Sequence, residues 1–512
     1  MKQVIKNIEK HCNYLFLLLL IAVYLFLDFQ TILFLHPQSI HFWRQTDSLS
    51  FVANYYKNGF NFFQPQVFNL QSTDGKGASE FPILYYLTAI AYYVFNEHEF
   101  ILRLITLLIA STGFFYLFKL LYTFLDDLSY AVGFSFLFIS STVLLYYTNN
   151  FLPDASAFGL TLIGWYFFFA FIKDMNNKQL LLKCFIFFTL ASLLKVTYFI
   201  NPTTAILSII IYGLLKKAGL KRTLQNNIKP LIYFILSLIV IFSWNLYVSY
   251  YNNINNDHYF LIQPRPIWSI SKDQIAEVWE YMTNYWNTSY YYATTFYVFL
   301  ILIVTGLLFF KKTERIILIP TFILTIGSIC YFMLFFAQFK SHDYYFIALI
   351  PGILFLVMNS FIALKNKFPV WINNFIPKLF LLTLCIFSLN CAKGKLIQRY
   401  EKKDDLYANI GSELAKTRHY IDSLGISEKA KIIILTDQTP NGGLYFINRP
   451  GWNIRDTTKN SLIALHNSIK SGADYIIITD KKYIFKGFIG TKIGEENGIL
   501  IYKLKNEIKY EK

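Results

Sequence analysis

Along this chain the apolar positions gather into runs of roughly 17 to 25 residues, each long enough to cross about 30 Å of hydrocarbon. They occupy 14–35, 100–124, 130–148, 155–172, 179–194, 197–215, 230–248, 291–310, 316–337, 344–364 and 374–391, and predict about 11 spans. A backbone in lipid must satisfy its own hydrogen bonds, so each run reads as a helix. The segment 81–95, FPILYYLTAIAYYVF, is short for a span, and counting it as one would reverse the sidedness of every later basic loop. Its tyrosines suit the headgroup region, which points to a re-entrant or interfacial helix. The polar stretches are brief except at 36–99, 249–290 and everything after 392.

Beyond Lys393 the pattern changes period. KIIILT at 431–436, YIIIT at 475–479 and the run 497–503 read as strands, with a helix over 460–471 between them. The expected organisation is a polytopic α-helical transmembrane domain over 1–392, carrying outer loops 36–99 and 249–290, followed by a soluble α/β domain over 393–512. The tail has neither a dinucleotide fingerprint nor a phosphate-loop lysine, so no nucleotide or organic cofactor is expected.

Composition agrees with the pattern: 55% of the residues are hydrophobic, including 52 Phe and 38 Tyr, and only 15% are charged, too few to cover a water-soluble particle of this size. The formal charge of +16 does not signal nucleic acid, because it falls in short clusters between apolar runs: Lys173 and Lys178, Lys216 to Arg222, Lys311 to Arg315, Lys365 and Lys367. This is the bias of cytoplasmic loops. With the lysine-rich N-terminus inside, alternation puts 36–99, 149–154, 195–196, 249–290, 338–343 and the C-terminal domain outside a bacterial inner membrane. No small-residue cleavage site follows a short apolar core, so the first run is read as an uncleaved span. The five cysteines lie in or beside the spans, and the long outer loop and the tail contain none, which excludes a disulfide scaffold there.

The candidate chemistry collects at the predicted outer face. Asp47, in HFWRQTD after the first run, either caps the helix that follows or serves as a general base toward an acceptor hydroxyl or amine. Arg44, one turn earlier, suits steadying that carboxylate or meeting a donor phosphate. Glu80, before Pro82, is either a first-turn dipole partner or a ligand for a divalent metal, with His98, Glu97 and Glu99 as companions. Asp154, in NNFLPD, caps a helix or lies beside Asp47 in an acidic floor. Lys195 and the run Lys340-Ser341-His342-Asp343-Tyr344-Tyr345 fall at outer boundaries, where lysines either snorkel or balance phosphate charge. Arg103, a few residues into its span, is placed to pair with Glu99. The loop 249–290, with His258-Tyr259 and Arg265 to Trp268, is rich in groups that stack on sugars and equally describes an interfacial belt.

This order of features resembles membrane glycosyltransferases of the GT-C fold: an acid after the first span, EFPILYY ending near Arg103-Leu104, Pro153-Asp154 between later spans, and an external α/β tail. Among these it is similar to the lipid A aminoarabinose transferases and protein O-mannosyltransferases. The resemblance implies that Asp47 activates the acceptor, that Glu80 supports a metal, and that Pro153-Asp154 is the second acidic motif. It further implies that Lys195 and KSHDYY, with Lys340, His342, Tyr344 and Tyr345, lie near the lipid phosphate. DQTPNGGLYFINRPGW at 437–452 is similar to a strand-loop-helix segment in the soluble domains of related bacterial enzymes. Phe81 and the single proline beside it depart from many relatives and leave the substrate class open.

The expected activity is transfer of a sugar from a polyprenyl-phosphate donor to a lipid, glycan or protein acceptor. Asp47 takes the acceptor proton, Lys195 with Lys340 or His342 receives the phosphate charge, and the anomeric configuration inverts. The competing readings are an oligosaccharide polymerase or ligase using diphosphate-linked donors, a lipid flippase or transporter, and a non-catalytic surface protein. A transporter predicts paired repeats and spans broken at the midplane, whereas here the charged candidates collect at one face.

Overall fold

A computed structural model of the chain describes residues 2–215, 228–260, 264–401, 406–456, 458–483 and 490–504. The basic cluster from Lys216 to Arg222 lies outside the described residues. The chain forms two compact units, one comprising Met1–Phe34, Arg103–Asn245 and Gln263–Ile397, the other Leu35–Leu102, Leu246–Ile262 and Gln398–Lys512.

Seven described helices are long and apolar enough to cross a membrane: Phe100–Leu125, Asp154–Lys173, Val196–Leu215, Ile228–Ile254, Arg315–Leu334, Asp343–Lys367 and Phe375–Tyr400. Two bent pairs raise the number to nine, Leu128–Ile139 with Thr142–Thr148 at 79° and Lys272–Tyr290 with Ala293–Leu308 at 98°. The chain is therefore a multi-pass helical membrane protein.

The differences from the eleven expected runs have local causes. The run 14–35 breaks after Phe26, where Asp28 takes a left-handed φ of 58° before a short helix at Phe29–Ile32. Lys178–Leu194 has 17 residues, about 26 Å of helix, just short of a full crossing. The run 130–148 bends where Ser141 accepts a hydrogen bond from the Leu144 amide and so caps a new helix. Helical structure also occupies much of the predicted outer loop 249–290, including Lys272–Glu280 with a capping box at Ser271 and Gln274.

Within the helical unit, hydrogen bonds sort the connections into two ends. At one end Lys378 meets Asp127 at 2.5 Å, Lys365 donates to the Leu125 carbonyl, and Asn366 donates to the Lys312 carbonyl at 2.9 Å. At the other, Lys195 meets Asp154, Tyr147 donates to Asp343, and Trp286 donates to the Lys340 carbonyl. The helices between these ends pack through small residues: a Cβ on Gly113 would lie 2.2 Å from the Cα of Gly159, so the helices Phe100–Leu125 and Asp154–Lys173 touch backbone to backbone.

The second unit is an α/β layer with strands β1 (Ile432–Leu435), β2 (Gly451–Ile454), β3 (Tyr475–Ile478), β4 (Gly490–Glu496) and β5 (Ile499–Leu504) in the order β2-β1-β3-β5-β4. β1 is parallel to both neighbours, and β5 is antiparallel to β3 and β4. A central parallel strand is covered on both faces, which explains the unbroken isoleucine run. Ile432 and Ile434 pack with Phe42, Phe68, Leu414 and Leu444, while Ile433 and Leu435 pack with Trp452 and Leu465. Phe42 and Phe68 belong to the predicted outer loop, so that loop is built into the sheet's core. It also reaches the sheet edge, where Gly451 donates to the Phe68 carbonyl at 3.0 Å and Leu70 donates to the Gly451 carbonyl at 2.7 Å.

Gly451 makes this edge possible, because a Cβ there would stand 1.7 Å from the Ile432 carbonyl oxygen. Gly451→Ala is expected to separate β2 from β1 and destabilise the unit by roughly 1–3 kcal/mol, as overpacking does. Hydrogen exchange of the 432–435 amides should report this as lost protection; unchanged protection contradicts the packing described.

Candidate functional site

The helix Phe42–Lys57 begins after His41, whose left-handed φ of 57° turns the chain into it. Asp47 therefore lies in the second turn and is not the cap. Its side chain is fully buried, and among the described residues it takes three donors. Asn441 Nδ2 donates to Oδ1 at 2.6 Å, the Tyr259 hydroxyl donates to Oδ2 at 2.8 Å, and Arg44 Nη1 reaches Oδ2 at 3.4 Å. The other end of the guanidinium, Nη2, lies 3.1 and 3.2 Å from the two oxygens of Glu80. Glu80 also accepts from Ser79 Oγ at 2.5 Å and from the Tyr85 hydroxyl.

Arg44 thus bridges two carboxylates, each met by a different nitrogen of its planar fork. Burial raises the Asp47 pKa above the usual carboxylate range, opposed by Arg44, Asn441 and Tyr259, with Glu80 adding to the rise. The stretch carrying Glu80 is held in place by Asn252, which donates to the Ala78 carbonyl at 2.9 Å and accepts from the Ala78 amide at 2.7 Å. Asp257 accepts from the Tyr259 amide at 3.0 Å and so fixes the turn that presents Tyr259.

The helical unit carries a second cluster. Asp154, first residue of its helix, is buried and pairs with Lys195 at 3.3 Å. The Lys195 ammonium also lies 5.1 Å from the centre of the Tyr344 ring. Tyr147 donates to the buried Asp343 at 2.7 Å and packs edge-on against Tyr344, with His342 near the rings of Tyr344 and Tyr345. The Tyr345 carbonyl accepts from the Tyr331 hydroxyl at 2.9 Å.

Other expected residues take different places. Lys340 pairs with Glu277 at 2.5 Å and sits over the Tyr281 ring, so its charge is already answered by a carboxylate. Arg103 is fully buried, donates to the Ile32 carbonyl and lies 4.3 Å over the Phe151 ring, ordering the far end of the first helical run. Glu80 and His98, the residues expected to share a metal, stand on either side of the 13-residue helix Ile83–Phe95, about 20 Å of helix. His98 stacks near Phe100, while Glu99 accepts from Tyr445 and pairs with His36. Among the described residues no group of three His, Cys, Asp or Glu side chains is placed to hold a metal ion. Tyr259, Asn441, Tyr85 and Tyr147 are the members that sequence reasoning did not single out.

No protein-family model and no curated protein matches this sequence. Solved structures do. ArnT from Cupriavidus metallidurans in the apo state aligns over 97% of this chain and 99% of its own with a TM-score of 0.61, at 12% identity. The same protein bound to undecaprenyl phosphate aligns with a TM-score of 0.59 at 12% identity, over 95% of this chain and 97% of its own. The Archaeoglobus fulgidus oligosaccharyltransferase AglB, in complex with an inhibitory peptide and a dolichol-phosphate, aligns at 12% identity with a TM-score of 0.53, over 91% of this chain and 69% of its own. At such identities the likeness establishes the fold, and it is the GT-C fold expected from the sequence.

Beside this site Asp437 is buried and accepts from Thr439 N, Thr439 Oγ1, Gly443 N and Asn453 Nδ2. Desolvation nonetheless pushes its pKa up to about 6 from the ordinary 3.8. A carboxyl raised in the folded state stabilises the fold below its unfolded pKa, near 4, and loses that contribution as pH rises through about 6. Wild type is therefore expected to lose up to roughly 3 kcal/mol relative to Asp437→Asn between pH 4 and pH 7. Thermal unfolding of both proteins across that range checks it; a constant difference contradicts it.

Proposed function

We propose that the protein transfers a sugar from a polyprenyl-phosphate-linked donor to a lipid, glycan or protein acceptor, with Asp47 as general base. The observation that carries this reading is the buried Asp47 carboxylate with a hydroxyl, that of Tyr259, at 2.8 Å from Oδ2. General-base catalysis needs an acceptor hydroxyl or amine at that reach. In the reaction, the acceptor O–H or N–H attacks the anomeric carbon, its proton passes to Asp47, and the bond from that carbon to the phosphate oxygen breaks with its electron pair leaving on the polyprenyl phosphate. A single displacement inverts the anomeric configuration. Asp47 is enclosed, so Tyr259, which is 39% exposed, is the partner we expect to swing aside for the acceptor.

For the leaving group, Lys195 is the preferred cation. It is held by Asp154 against Tyr344 in a partly buried setting where a charge acts more strongly than in water. The likeness to ArnT bound to undecaprenyl phosphate supports a monophosphate donor, because that alignment runs nearly the whole length of both chains, whereas the oligosaccharyltransferase alignment covers 69% of its partner. We place the chemistry on the extracytoplasmic face of a bacterial inner membrane. The reason is that Lys312, Lys365 and Lys378 gather at one end of the helical unit and the Lys195 cluster at the other.

Reconstituted protein supplied with undecaprenyl-phosphate-linked sugars tests this. Asp47→Asn should cut the transfer rate about 10²–10⁴-fold with the fold intact. Full activity in that variant would sink the base assignment. The wild-type rate should rise with pH through an acidic limb lying above the usual carboxylate range, because burial raises the Asp47 pKa. Lys195→Gln should raise the donor KM roughly tenfold or more, as expected for loss of a charge-assisted contact; an unchanged KM and kcat would remove Lys195 from the donor site.

A further inference from the structure

Between β1 and the helix Gly442–Ile447 the chain makes a loop whose polar groups hold one amide in a fixed orientation. Both Asp437 oxygens are engaged, Oδ1 by Thr439 and Oδ2 by the Gly443 amide at 2.7 Å and Asn453 Nδ2 at 2.8 Å. Thr439 Oγ1 accepts from the Gly442 amide at 2.9 Å, and Asn69 Nδ2 donates to the Pro440 carbonyl at 2.6 Å. The side chain presented by this scaffold is Asn441, fully buried.

The Asn441 amide has only one consistent orientation. Its Oδ1 accepts from the Asn69 backbone N–H at 3.0 Å, a group that can only donate, so its Nδ2 faces Asp47 Oδ1 as a donor at 2.6 Å. The groups facing Asp47 from the neighbouring elements are Arg44 on its own helix, Tyr259 from the turn after Ile228–Ile254, Asn441, and Glu80 acting through the charge it shares with Arg44. Arg44 and Tyr259 both engage Oδ2; Asn441 engages Oδ1. Asn441 is also the one of these four groups that neither carries charge nor titrates.

We propose that Asn441, carried by the sheet layer on a loop locked by Asp437, is a positioning residue for sugar transfer: it fixes Asp47 Oδ1 and favours the ionised carboxylate. The inference rests on Asp47 being the base, and it makes the C-terminal strands part of the catalytic apparatus. A hydrogen bond to a charged group of this kind corresponds to roughly a ten- to hundredfold effect on rate.

The test is an infrared pH titration of the full-length, ligand-free protein in lipid nanodiscs, with the Asp47 carboxyl band identified by its loss in Asp47→Asn. Asn441→Leu, which removes the donor without changing charge, should move that band's midpoint up by about one pH unit. Asn441→Asp should move it further, since two carboxyls at this separation compete for one proton. Asn441→Asp keeps the side chain's shape and the oxygen that meets Asn69, so it decides the matter if the leucine variant does not fold. A midpoint equal to wild type in a folded Asn441→Asp protein overturns the proposal. Turnover of undecaprenyl-phosphate-linked sugar by Asn441→Leu or, if that does not fold, by Asn441→Asp should show kcat reduced roughly ten- to hundredfold with donor KM within about twofold. A change confined to KM also overturns it. Were Asp47→Asn active while the band moved as expected, the base assignment would fail and the contact between Asn441 and Asp47 would stand.

Discussion

Everything in the candidate site follows from one constraint: a carboxylate removed from water must be given donors and a counter-charge or it will hold its proton. Asp47 is fully enclosed, and the groups that answer it come from its own helix, at Arg44, and from two distant stretches of chain, at Tyr259 and Asn441. Satisfying that one side chain therefore ties together the helix Phe42–Lys57, the turn after Ile228–Ile254, and the loop after β1. The folding of the second unit from non-contiguous segments and the chemistry of its carboxylate are the same requirement seen at two scales.

The helical unit obeys the same rule with the opposite emphasis. There Lys195 is the group of interest and Asp154 its partner, with the face of Tyr344 beside it. A lysine left alone among apolar helices would be costly, and a lysine paired too completely would have nothing to offer an anion. A single carboxylate at 3.3 Å with an aromatic ring at 5.1 Å is an intermediate arrangement. Lys340, paired with Glu277 at 2.5 Å, is the more tightly answered of the two.

Much of this architecture was legible in the sequence because hydropathy and positive loops are local signals. The long apolar runs became helices, and the tail became strands where KIIILT and YIIIT predicted them. The bend at Ser141 had a cue in its paired serines, but a polar capping residue within an apolar run is outweighed when hydropathy is averaged. β2, Gly451–Ile454, is as long as β1 and β3 but reads GWNI, with no β-branched run to mark it, and its place depends on contacts with Phe68 and Leu70 far back in the chain. In the site, Asp47 and Arg44 were visible because they fall within one short stretch, HFWRQTD, and Glu80 because it stands beside Pro82 at the start of an apolar segment. Asn441, 394 positions from Asp47, and Tyr259, 212 positions away, were not, since nothing local distinguishes them from other loop asparagines and tyrosines. Glu80 and His98, expected to share a metal, stand on either side of the helix Ile83–Phe95, because proximity in sequence ignores the length of an intervening helix.

The central claim, single displacement of a polyprenyl monophosphate by an acceptor that Asp47 deprotonates, is tested most directly by the stereochemistry and the lipid product of one turnover. Proton coupling at the anomeric position should show the product inverted relative to the donor, with one polyprenyl monophosphate released for each acceptor modified. Retention of configuration, or release of a polyprenyl diphosphate, would contradict it.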